Sequence, residues 1–377
     1  MNNLKETSSS SSIDCIFGID IGESYCSIST FENNKPLLLA KTTYDKPLPG
    51  QKNTIEGINF ISLLYHNDIK YNENYNCFVQ VINWCKLTLV KTFPEYKFSK
   101  FKCCLSIPSF LNSPSNINLN NESLSLFSIK EVFNNSGFEI IRSLDKCSAF
   151  ALTDEITILS TSYVLILEFG TNYLEALSVS AGDGVIEILS KSSSYLERDD
   201  IDLRKKSIAN LINHISKDVP ADKYDYVLIN SAYLDPDELK EIAKSTKSSV
   251  KSITVLEDAC AKGIAQQAAI IDGKQTDILL LDLASFNICF KQGKQSSYIY
   301  TKKETIPKKV SKLIVLDEKI KYLDIFLDFP IFKSNVLGNY NNKITRIDLE
   351  SVFNKEFSSL SFELDIDAKG DLNLTYK

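Results

Sequence analysis

The chain has 377 residues, a formal net charge of −6 and 44% hydrophobic residues. That length supports more than one domain with sizeable cores. The acidic balance gives no global attraction to nucleic acid, so DNA is not an expected partner. No run approaches the ~18 consecutive apolar residues of a membrane-spanning helix, so no membrane is expected either.

Residues 1–12 are polar and serine-rich, without an apolar h-region, and read as a disordered tail rather than a signal peptide. Nine cysteines are scattered among apolar residues and no C-x-x-C occurs. Reduced buried thiols and a cytoplasmic location follow as expectations. The two histidines, His66 and His214, have no Cys or His neighbour at ligand spacing. Zinc coordination and Ser–His–Asp hydrolysis are therefore not expected.

Residues 13–50 read as a β-meander: strands over Cys15–Ile21, Cys26–Phe31 and Pro36–Lys41, with Asn33-Asn34 as a hairpin turn. Its opening, I-F-G-I-D-I-G-E-S-Y (16–25), runs an apolar strand into Asp20, bends at Gly22 and leaves on a second strand. A bend with a carboxylate and free N–H groups suits a nucleotide phosphate and its magnesium ion. Glu23 stands at the tip, and a carboxylate there repels phosphate unless a cation lies between them.

Helical spacing covers Phe78–Lys91, and Phe101–Ile107 is a short buried strand ending at Pro108. An amphipathic helix spans 121–136 and stops at Gly137. Phe138–Ile141 reads as a strand and Ser148–Leu152 as helix. A strand pair, Tyr163–Phe169 and Leu174–Ser180, flanks Gly170, and Val185–Ser190 follows the turn Gly182-Asp183-Gly184. Helix over Leu203–Ser216, strand over Tyr226–Ile229, helix over Pro236–Lys244 after Asp235, strand over Ile253–Leu256 and helix over Ala259–Ile271 complete the pattern. Residues 13–273 thus hold two β-rich starts, each followed by alternating helix and strand. Duplicated α/β halves of this kind imply a ligand cleft between two lobes. After Lys274-Gln275 the texture changes, opening on the run D-I-L-L-L-D-L (277–283). Residues 284–377 are short β-rich runs separated by turns, a small all-β domain.

Taken in order, these segments resemble the heat-shock protein 70 (DnaK-type) family. G-I-D-I-G-E-S-Y (18–25) is similar to its first phosphate motif, and C-L-S-I-P-S-F (104–110) to its V-x-V-P-A-x-F strand. L-D-K-C-S-A-F-A-L (144–152) sits at its N-E-P-T-A-A-A. L-I-L-E-F-G-T-N-Y (165–173) sits at the second phosphate motif, D-L-G-G-G-T. V-L-I-N-S-A-Y-L-D-P (227–236) and E-D-A-C-A-K-G-I-A-Q-Q-A-A (257–269) fit the adenosine-motif frame and the helix after it. Residues 274–283, with D-I-L-L-L-D-L, resemble the family's interdomain linker and the first strand of its substrate domain, and I-D-A-K-G-D-L-N-L (366–374) is similar to that domain's late strand pair. The resemblance implies an actin-like, DnaK-type two-lobed ATPase fold, with duplicated ribonuclease-H-like halves and reduced lobes. A truncated all-β substrate-binding-type domain without a helical lid would follow.

Carried over residue by residue, the resemblance places a nucleotide at Asp20, Gly22, Glu23, Ser24, Tyr25, Asp145, Glu168, Gly170, Thr171, Asn230, Ser231 and Glu257. A magnesium ion would sit on Asp20 and Glu168. The departures are concentrated there. Glu23 replaces Thr, Asp145-Lys146 replaces Glu-Pro, Glu168 replaces Asp, Thr171 and Asn172 replace glycines, and Asn230-Ser231 replaces Gly-Gly. The spacer from 203 to 225 is too short for the lobe that clamps adenine. The expectation is a degenerate ATPase site with weak or absent ATP–magnesium binding and no catalysis.

One branch of the family combines these traits, the Ssz-type subunit of the ribosome-associated complex. It implies a non-catalytic co-chaperone paired with a zuotin-like J-domain protein at the ribosome, supporting a true heat-shock protein 70 chaperone on nascent chains. Binding would then use an unpaired β-domain edge, with Ile288–Phe290 and Phe362–Ile366 as candidate edge residues. The alternatives are an ATP-gated chaperone that binds peptides itself, and a sugar-kinase-like enzyme, against which the trailing β-domain argues.

Overall fold

The computed structural model describes residues 15–22, 25–43, 71–94, 100–109, 126–170, 173–196, 200–231, 234–246, 250–284, 287–292, 295–301, 304–315, 321–333, 336–348, 359–366 and 372–376. The fold is α/β with mixed sheets. Strands β1 (Ile16–Ile21), β2 (Tyr25–Glu32) and β3 (Lys35–Thr43) form an antiparallel meander. Asn33 and Asn34 turn β2 into β3 at φ of 51° and 60°, a left-handed pair that asparagine tolerates. Helix α1 (Tyr71–Thr92), β4 (Phe101–Ile107), α2 (Leu126–Asn135) and β5 (Phe138–Asp145) follow. Strands β4 and β5 add parallel to β1, in the order β3-β2-β1-β4-β5.

The same plan then repeats. After the short helices α3 (Lys146–Phe150) and α4 (Asp154–Thr157) come β6 (Ser162–Phe169), β7 (Tyr173–Gly182) and β8 (Val185–Tyr195), again an antiparallel meander. Helix α5 (Ile201–Ile215), β9 (Tyr226–Asn230), α6 (Pro236–Thr246), β10 (Ser252–Leu256) and α7 (Ala259–Ile271) complete the unit. Strands β9 and β10 add parallel to β6, giving β10-β9-β6-β7-β8, the order and directions of the first sheet.

Alternation along the central strands sets the layers. On β1, Phe17, Ile19 and Ile21 face a core with Val81, Ile82, Cys85 and Leu89 of α1 and Phe133 of α2. The opposite positions, Ile16, Gly18 and Asp20, turn to the layer between the two sheets, where α7 packs on β1 to β4. On β6, Leu165 and Leu167 face α5 and α6, while Val164 and Ile166 join that inner layer. Helices α3 and α7 cross inside it with almost no separation. A Cβ on Gly263 would lie 1.7 Å from the Ala149 carbonyl oxygen, and one on Gly18 would lie 2.7 Å from the Ala265 nitrogen. Glycine is required at both points.

Residues 274–283, expected as linker and first strand of the β-domain, place β11 (Leu279–Leu283) in the second sheet, parallel to β8. The short β14 (Thr305–Ile306) continues that sheet antiparallel to β11. The remaining strands are β12 (Asn287–Gln292), β13 (Gln295–Tyr300), β15 (Lys308–Val315), β16 (Tyr322–Lys333), β17 (Val336–Asp348), β18 (Ser359–Ile366) and β19 (Leu372–Tyr376). They form two sheets, β13-β12-β16-β17 and β15-β18-β19. Ile288, Phe290, Leu323 and Ile325 of one meet Leu360, Phe362, Leu364 and Ile366 of the other in a shared core.

This corrects the expectation about edges. Ile288–Phe290 lies on β12 and Phe362–Ile366 on β18, both interior to their sheets. Their apolar alternation is what a strand facing a core requires, and it marks burial rather than an open edge. Among the described strands, β13 and β17 stand at the ends of one sheet and β15 and β19 at the ends of the other. Among the described residues no helix is long and apolar enough to cross a membrane.

Candidate functional site

The repeated halves carry the same closing hydrogen bond after their first strands. In the first, Gly22 donates its N–H to the Tyr25 carbonyl at 2.8 Å; in the second, Gly170 donates to that of Tyr173 at 2.9 Å. Two residues before each glycine stands a buried carboxyl group, Asp20 at the end of β1 and Glu168 near the end of β6. The sequence carries this as a cryptic repeat, D-I-G-x-x-Y against E-F-G-x-x-Y.

Between the two carboxyl groups lies the ammonium of Lys146. Its Nζ is 2.6 Å from Asp20 Oδ1 and 3.5 Å from Glu168 Oε1, and it donates to the Tyr25 hydroxyl at 2.8 Å. Its side chain is 0% exposed. The Tyr25 ring adds a cation–π contact, with Nζ 4.8 Å from the centroid. The position follows from local structure. Strand β5 runs on to Asp145, and the backbone enters α3 at Lys146, which places the first helical side chain between the two carboxyl groups.

Burial works against a charged lysine, but attraction led by Asp20 outweighs it and raises the Lys146 pKa well above the usual lysine range. Burial pushes the Glu168 carboxyl up to about 7; Lys146 pulls it back and Asp20 pushes it further. The central ion pair is therefore Lys146–Asp20, with Glu168 the group that holds a proton near neutrality. The Tyr25 hydroxyl is raised well above its ordinary value by burial and by Asp20. Asn230, at the end of β9, donates through Nδ2 to Glu168 Oε2, and its Oδ1 accepts from the Ala259 N–H at 3.3 Å. It thus ties Glu168 to the start of α7. A glycine pair at 230–231 would leave both groups without this partner.

A second ammonium organises a neighbouring buried cluster. Lys191 of β8 lies 2.8 Å from Asp145 Oδ2 and 2.6 Å from Asp282 Oδ1, and donates to the Leu283 carbonyl at 2.9 Å. Attraction to Asp145 and Asp282 overcomes burial and raises its pKa. Ser148 of α3 also donates to Asp282, at 3.2 Å. Three segments, β5–α3, β8 and β11, are joined at this point. Nearby, Glu175 accepts from the Ser109 N–H at 2.5 Å, and burial with the Asp145 charge pushes its carboxyl up to about 8.

Of the sequence-derived site residues, Asp20, Gly22, Tyr25, Glu168, Gly170 and Asn230 converge around Lys146, with Ser231 buried beside Asn230. Asp145 is diverted to Lys191. Glu257 is exposed, and its neighbour Asp258 instead pairs with Lys41 at 2.5 Å. Glu23, Ser24 and Thr171 lie outside the described residues. The two carboxyl groups assigned to a magnesium ion do meet, but on a lysine. Among the described residues no group of three or more His, Cys, Asp and Glu side chains is placed to hold a metal ion. Lys146, Lys191 and Asp282 were not among the sequence-derived residues. The available signal was a lone lysine opening the run C-S-A-F-A-L, every residue of which is buried. The eight described cysteines are all free thiols. Comparison with protein-family models and with curated proteins finds no match for this chain.

Proposed function

We propose that this chain is a non-catalytic relative of the heat-shock protein 70 chaperones, with an actin-like two-lobed body whose nucleotide cleft is closed by its own lysine. The repeated β3-β2-β1-β4-β5 strand order, with two helices crossing between the sheets, supports the two-lobed reading. The observation that carries the loss of catalysis is the Lys146 ammonium, buried between Asp20 and Glu168 where a magnesium nucleotide would need both carboxylates.

The donor set does not fit magnesium triphosphate. Asp20 is already neutralised by an internal cation, so a divalent ion there would have to displace a buried lysine. Among the described residues Lys146 is engaged by Asp20 and Glu168, and Lys191 by Asp145 and Asp282. A polyphosphate entering here would find both of these ammonium groups already held by internal carboxylates. No phosphoryl-transfer step is built on these residues.

The work of such a protein is done by its surfaces. In line with the resemblance in its sequence, its partners are a zuotin-like J-domain protein and the ribosome in the cytoplasm, where the pair supports a chaperone acting on nascent chains. Strand β15, at the end of its sheet among the described strands and with Leu313 65% exposed, is the better candidate for pairing with an extended partner segment. Affinity purification from the native cells tests this. Recovery of ribosomes with one J-domain protein supports the proposal. ATP turnover by the isolated chain, or recovery without either partner, defeats it.

A further inference from the structure

At the far end of the strands from Lys146, the two meanders turn at Asn33-Asn34 and Asp183-Gly184. A cavity of about 410 Å³ opens between these turns, α4 and the segment after α7. Its rim carries three carboxylates from separate segments, Asp154, Asp183 and Asp277. None of them forms an ion pair with a described residue; Asp277 only accepts from the Thr276 hydroxyl, at 3.2 Å. Deeper in, Gln266 of α7 lines the cavity while only 3% exposed, and its side-chain amide has no hydrogen-bond partner among the described residues. A buried amide without partners costs stability unless water or a ligand satisfies it. The wall is completed by Ile158 and Ile278.

We propose that this cavity is a binding site for an organic cation bearing N–H donors on an alkyl stem, an alkylguanidinium or alkylammonium group. The carboxylates supply the charge, the Gln266 carbonyl oxygen accepts an N–H, and Ile158 and Ile278 flank the stem. A bare metal ion is the poorer fit, because these carboxylates do not form a group able to hold one. The volume is at the small end of ligand pockets and accommodates one such side chain or a small amine. The proposal is independent of the Lys146 cleft.

The test is a titration of the full-length isotopically labelled chain, followed by amide resonances. Three probes are used: agmatine, N-acetyl-arginine amide and the neutral near-isostere N-butylurea. Saturable shifts at Gly184, Gln266 and Gln275 with the two cations, and none with N-butylurea, are expected. Asp183→Asn combined with Asp277→Asn should weaken binding by about tenfold. Gln266→Leu should weaken it without lowering the melting temperature. Tighter binding of agmatine identifies a free amine as the source; tighter binding of the arginine derivative identifies a partner's side chain. No saturable shift, equal shifts with N-butylurea, or unchanged affinity in the double variant would overturn the site.

Discussion

Replacing Lys146 by methionine removes the ammonium between Asp20 and Glu168 while keeping most of the side-chain volume. Both carboxyl groups are buried, and Asp20 Oδ2 already lacks a partner. Removing one member of a buried pair typically costs ~3–5 kcal/mol, because the other charge is left uncompensated. Glu168 softens the loss, since it sits at about 7 and, without the lysine pulling it down, takes its proton more readily. Asp20 then remains the unpaired charge. The expected cost is ~3–5 kcal/mol above neutrality, a fall of roughly 6–20 °C in the melting transition of the α/β unit. Differential scanning calorimetry on Lys146→Met and on Lys146→Met combined with Asp20→Asn provides the assay. The second change removes the stranded charge and should restore most of the loss, as a double-mutant cycle detects. A Lys146→Met protein as stable as the parent, or no recovery on adding Asp20→Asn, would refute the internal-cation reasoning.

Other outcomes follow from the same geometry. Glu168 and Glu175 have folded-state values raised from 4.5 to about 7 and about 8. Each therefore adds stability that is complete below its unfolded value and is lost as pH rises through the folded one. Glu175→Gln should flatten the fall in melting temperature between pH ~5.5 and pH ~8.5; an unchanged slope argues against a buried neutral Glu175. Lys191→Met takes the ammonium away from Asp145 and Asp282, and should cost ~3 kcal/mol and speed hydrogen exchange at the β11 amides. Unaltered β11 protection would show that Lys191 does not fasten that strand. Gly263→Ala puts a methyl 1.7 Å from the Ala149 carbonyl, so soluble folded protein should be lost or its stability cut by more than ~4 kcal/mol. Near-normal circular dichroism and melting would contradict the tight α3–α7 crossing.

Much of the architecture was legible because each signal was local. The Asn33-Asn34 turn, the strand at Phe101–Ile107 and the helix at Ala259–Ile271 occupy their expected places. Boundaries moved where polar residues belong to an element. Helix α1 begins at Tyr71 rather than Phe78, and β5 runs to Asp145 rather than Ile141. The Asp367–Gly370 turn expected before the last strand lies outside the described residues. The site was half legible. Asp20, Glu168 and Asn230 were recognisable from motif positions, yet their partner is 126 residues from Asp20 in the chain. A lysine after Asp145 reads locally as a helix start. Only the pairing of the two sheets makes it an internal counter-ion. The edge assignment failed for a related reason, since apolar alternation reports a buried face and says nothing about how many neighbours a strand has.

The most direct measurement is a calorimetric titration of the purified chain with ATP and magnesium. With Lys146 in place we expect no saturable heat, because the two carboxylates needed for the metal are already satisfied from within. Saturable binding of ATP–magnesium to the unaltered chain, with Lys146 displaced from Asp20 in the bound form, would contradict the account.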